Sequence, residues 1–568
     1  MKLLLSDYVG SLKERGELDA ILPDLLSALG FNVISRPAVG VAQNGVDVAA
    51  VGNDDDGVRK LFLFSVKAGD LKRSEWDTGV QALRPSLTEI LDIYIPNRIP
   101  PQYRTLKVVV CVVVGGSVQQ AVQPALNAYF KKYGNRKVSF QEWNGDRIAE
   151  LLLLGLLQEK LLPKPLRSSF QKAVALVDQP DVSYEHFAKL LSALQMRATK
   201  EKNRILVARQ INICLWVLFV WARDADNLEA PYRASELALL HVWELLKPFA
   251  GKKGAQARAM TLAVHQVVSL HVIVAGQFLE QKILPFVVRK YALSFAVNST
   301  EPADVNLKMF DVLGRLALTG HWMVWLGRYG GRNLNAEQIE GLRKHVANGF
   351  SLIENNPSLF LPLIDEQAIE LALFLTFAGQ VGGADAGIRR WLGEMVSRLN
   401  TTVVSHGRYP AALDDYSDIL AHPRERTVEY QREVTAGSVL IPTLLAFVAG
   451  FGDLRSVEII EGLIEGPLAH CTLQLWAPDE KSEQHLYLNN GAHGAALVDL
   501  PTTKSGMDLI KVLAKLDQHS TGFGDLSAVR FGYFPLVLTA CRHYRLPVPP
   551  QFWTPLLMSQ EKTSVEAA

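Results

Sequence analysis

Residues 45–67 read G-V-D-V-A-A-V-G-N-D-D-D-G-V-R-K-L-F-L-F-S-V-K. Two apolar runs, Val46–Val51 and Leu61–Val66, flank the polar segment Asn53–Gly57. Asp and Asn hydrogen-bond their own backbone and Gly tolerates positive φ, so that segment predicts a turn between two strands. Consecutive carboxylates cannot converge on one ion as i, i+2 ligands do, so Asp54-Asp55-Asp56 reads as the turn and not as a metal cluster. Strands joined this way pair antiparallel, which brings the Asp47 carboxylate beside the Lys67 ammonium. Ser65 lies two residues before Lys67 and points to the same face of its strand. Leu61–Val66 is almost unbroken in its apolar character, which predicts a strand covered on both faces.

Upstream, Leu18, Ile21, Leu22, Leu25, Leu26 and Leu29 have the spacing of an amphipathic helix, and Gly30 stops it. Asn32–Ser35 reads as a strand. Downstream, Trp76–Tyr94 is helical, with Pro85 placed to kink or divide it. Leu106–Val114 is a β-branched strand ended by Gly115-Gly116. Val118–Tyr133 reads as a helix, Lys137–Trp143 as a strand and Asp146–Leu162 as a leucine-rich helix. The order helix, three strands, helix, strand, helix, strand, helix predicts an α/β body: one mixed sheet with helices on both faces.

After Leu162-Pro163-Lys164-Pro165 the pattern becomes nearly all helical. Apolar periodicity marks Phe170–Ala193, Asn203–Ala222, Arg233–Phe249, Ala255–Leu279, Val305–Leu326, Ala336–Glu354, Glu366–Ala378 and Ile388–Leu399. Breaks at Asn298–Ala303 and over residues 400–438 suggest bodies at 1–162, 166–298, 299–400 and 401–568, the last mainly helical with loops. No fixed repeat period is present, and the all-α region reads as a stacked helical array.

At 568 residues the chain exceeds one core, since domains run to roughly 100–200 residues. The 59 Lys and Arg against 58 Asp and Glu exclude electrostatic capture of nucleic acid by the whole molecule, so any basic footprint is local. Cys111, Cys214, Cys471 and Cys541 are far apart, which argues against a disulfide scaffold or a Cys-based zinc site and suits a reducing cytoplasm. Met1–Leu5 is too brief for a signal-peptide core. Ile211–Ala222 and Thr261–Leu279 are the most membrane-like stretches and read as buried helices, so no membrane partner is expected.

A carboxylate beside a lysine at a strand end suits metal-assisted phosphodiester hydrolysis, because the carboxylate holds a hard cation that acidifies bound water. Taken alone, such a pair is more often a solvated ion pair. The surrounding order of elements is what lifts the chemical reading above that. Elsewhere, His265 and His271 are six apart and do not share a helix face for a metal, so buried, hydrogen-bonded side chains are expected. Trp216, Trp221, Trp322 and Trp325 read as core. Gly330-Gly331 lacks a phosphate-loop context, and no Gly-x-Ser-x-Gly, kinase or HExxH motif occurs.

Over residues 10–160 this succession, with L-S-A-L-G-F, G-V-D-V and F-S-V-K, resembles the PD-(D/E)xK nuclease fold, and within it the Mrr-like restriction-endonuclease domain. The resemblance implies that Asp47 is the metal-binding aspartate and Lys67 the catalytic lysine. Asp19 falls where a helix-borne glutamate completes such sites, with Glu17 as the fallback. Gln43 and Gly45 lie in a similar approach to the aspartate. The departure is Ser65, where the family carries Glu, Asp or Gln; a hydroxyl is a weaker ligand for a hard ion, so either Asp19, Glu17 or Asp70 supplies the missing charge or the site binds metal poorly. The implied cofactor is Mg²⁺ or Mn²⁺ and the implied partner DNA. Lys72, Arg73, Arg84 and Gln43 are its expected contacts, and Lys131, Lys132, Arg136 and Lys137 form a second basic run.

The resemblance further implies a homo-oligomer, a separate ATPase or sensor protein as partner, and a bacterial restriction or anti-phage setting. A nuclease-like scaffold, catalytically impaired by Ser65 and binding DNA or protein, is the alternative. A third reading gives the function to a groove in the helical region.

Overall fold

The computed structural model describes residues 6, 9–10, 12, 14, 18–35, 43–54, 56–78, 82–157, 164–198, 200–329, 331–489, 491, 493–500, 506–519 and 521–558. The chain forms two compact units, Met1–Ala234 and Ser235–Ala568.

The first unit begins with helix α1 (Asp19–Ala28) and strands β1 (Asn32–Ser35), β2 (Val48–Asn53) and β3 (Arg59–Lys67). Helix α2 (Leu83–Glu89), strand β4 (Val108–Val114), helix α3 (Gln123–Tyr133), strand β5 (Val138–Trp143) and helix α4 (Gly145–Leu157) follow. The five strands make one mixed sheet in the order β1-β2-β3-β4-β5. β1–β2 and β2–β3 are antiparallel; β3–β4 and β4–β5 are parallel. The turn between β2 and β3 is closed by Asp54, whose Oδ1 accepts the N–H groups of Val58 at 2.8 Å and Asp56 at 3.1 Å. Asp54 also pairs with Lys60. Those bonds use the carboxylate structurally, as the turn reading requires.

Both faces of the sheet are covered. On one, Ala49, Val51, Leu61, Leu63, Val110 and Val112 join Leu83, Leu87 and Ile90 from the α2 region and Leu126 and Tyr129 from α3. On the other, Val48, Ala50, Phe62, Phe64, Val66, Val109, Cys111 and Val113 are buried, and α1 and α4 pack against the sheet. Every residue of β4 is buried, and each fully buried valine side chain contributes about 1.5–3 kcal/mol, which makes this strand the strongest anchor of the body. The helix expected over Trp76–Tyr94 is divided, as Pro85 allows: a π-helical turn at Ser74–Thr78 is followed by α2, with Pro85 in its first turn, where a missing N–H costs no helical bond.

Helices α5 (Lys164–Ala175), α6 (Pro180–Gln195) and α7 (Glu201–Asp224) complete the first unit. The expected boundary at residue 162 is therefore not a break in packing. α7 lies against α1, and the fully buried Asp24 accepts a 2.8 Å hydrogen bond from Asn212 Nδ2. The helix expected over Phe170–Ala193 is split before Pro180, because the residue preceding a proline is driven out of the helical region.

The second unit is largely helical. It includes α8 (Ala255–Phe278), α9 (Pro302–Arg328), α10 (Ala336–Asn355), α11 (Ala368–Val381), α12 (Asp385–His406), α13 (Leu440–Gly450), α14 (Leu454–Glu465) and α15 (Pro535–Tyr544). His271 Nδ1 is bonded to Ser235 Oγ at 2.8 Å and His265 Nε2 to Tyr533 Oη at 2.9 Å, so both histidines are structural. Trp216, Trp322 and Trp325 are buried. Asn203–Asp224 and Ala255–Ile283 are long and apolar enough to cross a membrane; 78% and 56% of their most apolar windows are buried inside the protein.

Candidate active site at the end of the central hairpin

Gln43-Asn44-Gly45-Val46 forms a tight turn that aims the chain into β2. Val46 N–H donates to the Gln43 carbonyl at 3.2 Å, with φ of 49° at Asn44 and 78° at Gly45. Two successive positive φ values suit Asn-Gly. A Cβ at Gly45 would lie 2.1 Å from the Ser86 carbonyl oxygen, so the close approach demands glycine as well. The β2–β3 register runs from Asn53↔Arg59 to Val48↔Phe64, and Asp47 stands one residue before β2.

Asp47 is tied to β3 twice. Its N–H donates to the Phe64 carbonyl at 2.9 Å, and its Oδ2 accepts the Val66 N–H at 2.8 Å. Lys67, only 8% exposed, directs its Nζ to Glu14 Oε1 at 3.0 Å. Burial pushes the Asp47 carboxyl up to about 6 against the opposing pull of the Val66 N–H and Lys67, and the negative charges of Glu14 and Asp19 add to the rise. Asp47, Lys67, Glu14 and Asp19 therefore share one electrostatic neighbourhood. Ser65, 2% exposed, lies two residues before Lys67 on β3.

Lys67 pairs with Glu14, ahead of α1 and not among the expected site residues, and Asp19 adds a smaller charge effect on Asp47. Glu17 lies outside the described residues. Glu14 precedes the apolar periodicity that starts at Leu18, and beside Lys13 it reads as half of a solvated surface pair. Asp70 Oδ1 accepts the Ser117 N–H at 2.8 Å and hydroxyl at 3.2 Å.

Among the expected DNA contacts, Lys72 and Arg73 are exposed beyond the end of β3. Arg84 is paired with Asp77 at 2.9 Å, which offsets its charge. Gln43 is half-buried in the turn before β2, and Lys131, Lys132, Arg136 and Lys137 are exposed around the α3–β5 connection.

Among the described residues, no three His, Cys, Asp or Glu side chains are grouped to hold a metal ion. The candidate oxygen donors are the Asp47 and Glu14 carboxylates and the Ser65 hydroxyl. Mg²⁺ is commonly bound by one or two carboxylates, its remaining positions filled by water and substrate phosphate. Burial is the main cause of the raised Asp47 carboxyl, and a cation would relieve the smaller part that comes from Glu14 and Asp19. Carboxylate and hydroxyl oxygens are the donor types that a hard divalent ion takes.

The chain matches no family model, no curated protein and no solved structure.

Proposed function

We propose that the first unit is a metal-dependent phosphodiester hydrolase of the PD-(D/E)xK type acting on DNA. The observations that support this most are the Lys67–Glu14 ion pair at the end of β3 and the charge influence of both groups on the partly buried Asp47 carboxylate. Asp47 and Glu14 would hold Mg²⁺ or Mn²⁺, which supplies acidified water and positive charge against the scissile phosphate. Asp47 is oriented by the Val66 N–H, so its carboxylate needs no rearrangement to bind. Lys67 is kept in place by Glu14 and by burial, a fixed ammonium beside the position of the phosphate. Lys72 and Arg73, exposed after the end of β3, would take backbone phosphates, independent of sequence. The helical second unit would serve to sense, dock or oligomerise, and cutting both strands calls for two copies.

The test is supercoiled plasmid incubated with the full chain and Mg²⁺ or Mn²⁺, beside Asp47→Ala, Lys67→Ala and Glu14→Gln. Nicking by the parent, reduced about 100-fold or more in each variant, is the expected result. Equal nicking by all four proteins would refute the assignment. Ser65 and the two-carboxylate donor set favour a second reading, a nuclease-like scaffold without chemistry. Calorimetric titration with Mn²⁺ separates the two, since the scaffold would show no binding that Asp47→Ala abolishes.

A further inference from the structure

In the second unit, α12 packs against α14. A cleft of about 600 Å³ beside them is lined by Arg389, Arg390, Arg398 and Arg455, with Glu394 and Asp453 the acids in its wall. Both acids are engaged. Glu394 accepts from Arg398 Nε at 2.7 Å, and Asp453 caps α14 by accepting the Ser456 N–H at 3.2 Å and hydroxyl at 2.6 Å. Arg390 pairs with Glu354 at 3.2 Å, and Arg389 donates to the neutral Phe451 carbonyl at 3.4 Å. Arg455 is exposed. The wall therefore keeps an excess of positive charge, and the Arg398 guanidinium lies over the Phe360 ring, 4.9 Å from its centroid.

A second cavity, about 660 Å³, shares Ser397 and Arg398 with the first. Its wall is largely apolar, with Pro302, Leu361, Leu363, Ile419 and Pro423. Each volume falls in the range of small-molecule sites, about 300–1,000 Å³. Guanidinium forks match phosphate oxygens in pairs, which a lysine cannot do. An arginine-lined cleft joined at one arginine to an apolar pocket has the polarity of a molecule with a polyanionic end and an apolar or planar end.

We propose that these adjoining cavities bind a phosphorylated small molecule of nucleotide size. Its phosphates lie on Arg389, Arg398 and Arg455, and its planar part lies in the apolar cavity. The role is binding and not hydrolysis, because the two acids of the cleft are already committed to Arg398 and to the α14 cap. The site stands apart from the hairpin reading and does not depend on it.

Calorimetric titration of the full chain with the common ribonucleoside triphosphates, without metal, tests this, alongside pyrophosphate and adenosine. A triphosphate should bind at least about tenfold more tightly than either fragment, because both cavities are then filled at once. Arg389→Ala and Arg455→Ala, both at exposed positions, should each weaken it about tenfold. Ala303→Trp, which fills the apolar cavity, should weaken the triphosphate and leave pyrophosphate unchanged. No triphosphate binding, or binding indifferent to the arginine substitutions, would overturn the proposal. Displacement of the triphosphate by a single-stranded oligonucleotide with no effect of Ala303→Trp would overturn it too, since the arginines would then be a nucleic-acid surface.

Discussion

Lys67 Nζ lies 3.0 Å from Glu14 Oε1, so the lysine that ends β3 is held by a carboxylate from ahead of the first helix of the sheet domain. Asp47, meanwhile, spends one oxygen on the Val66 N–H. Acid and amine are thus fixed by different neighbours and meet only through the electrostatic field between them.

The Lys67–Glu14 pair is mostly shielded, with side chains 11% and 30% exposed, so its coupling should exceed that of a surface pair. A double-mutant cycle with Lys67→Met and Glu14→Gln, followed by urea unfolding, should give about 1–2 kcal/mol. A coupling near zero would show that the two side chains do not hold each other in solution.

Asp47→Asn should stabilise the protein above neutral pH. Its folded carboxyl stands at about 6 against an ordinary 3.8, so the stability linked to its proton is complete below about pH 4 and is lost as pH rises through 6. The amide keeps an oxygen for Val66 and carries no charge. We expect a gain of about 1–2 kcal/mol at pH 8 and none at pH 4, read from urea midpoints at both pH values. A gain that does not vary with pH would contradict the burial of this charge. Any Mg²⁺-dependent activity should correspondingly rise across pH 5–7 in the parent.

Gly45→Ala should damage both stability and the site. Positive φ and the Ser86 carbonyl oxygen at 2.1 Å from any Cβ act together, and a loss of about 2–4 kcal/mol is expected in thermal or urea unfolding. Gly57→Ala is the control: its φ of 76° is similar, but nothing lies within 4 Å, so it should cost about 1 kcal/mol.

In the second unit, Arg542 on α15 pairs with both Glu236 and Asp311. Burial alone would raise Glu236; Arg542 overcomes it and, with His543, brings the carboxyl down to about 2. Arg542→Met leaves the buried Glu236 carboxylate without its arginine, while the partly exposed Asp311 keeps Arg315 and Lys308, and should cost about 3–5 kcal/mol at pH 7. Adding Glu236→Gln should recover part of the loss. Urea unfolding of the full chain reads both, and a loss below about 1 kcal/mol would mean that solvent reaches the cluster.

The sheet was legible in the residues to within a few positions, because β-branched runs, the N-D-D-D-G turn and Gly115-Gly116 are local signals. Pro85 announced the division of its helix in the same way. What escaped was non-local. Glu14 precedes the periodic stretch and carries no mark of its distant partner. Asp24 is a polar residue within an apolar helix, and nothing nearby in sequence says that Asn212 will meet it under the surface. That single buried contact is one reason why α7 belongs with the α/β body and not beyond the prolines near residue 163. The arginines of the α12–α14 cleft are 66 residues apart at their extremes, Arg389 and Arg455, and no spacing rule links them.

The Asp54-capped connection has a kinetic consequence. It is the shortest link between two strands of the sheet, whereas β4 and β5 reach their places only through long crossovers. Closing a small loop costs little chain entropy, and parallel pairing must wait for distant segments to diffuse together. The hairpin that carries Asp47 and Lys67 should accordingly zip early. Asp47 and Lys67 would then share one hairpin while the rest of the body is still searching for its neighbours.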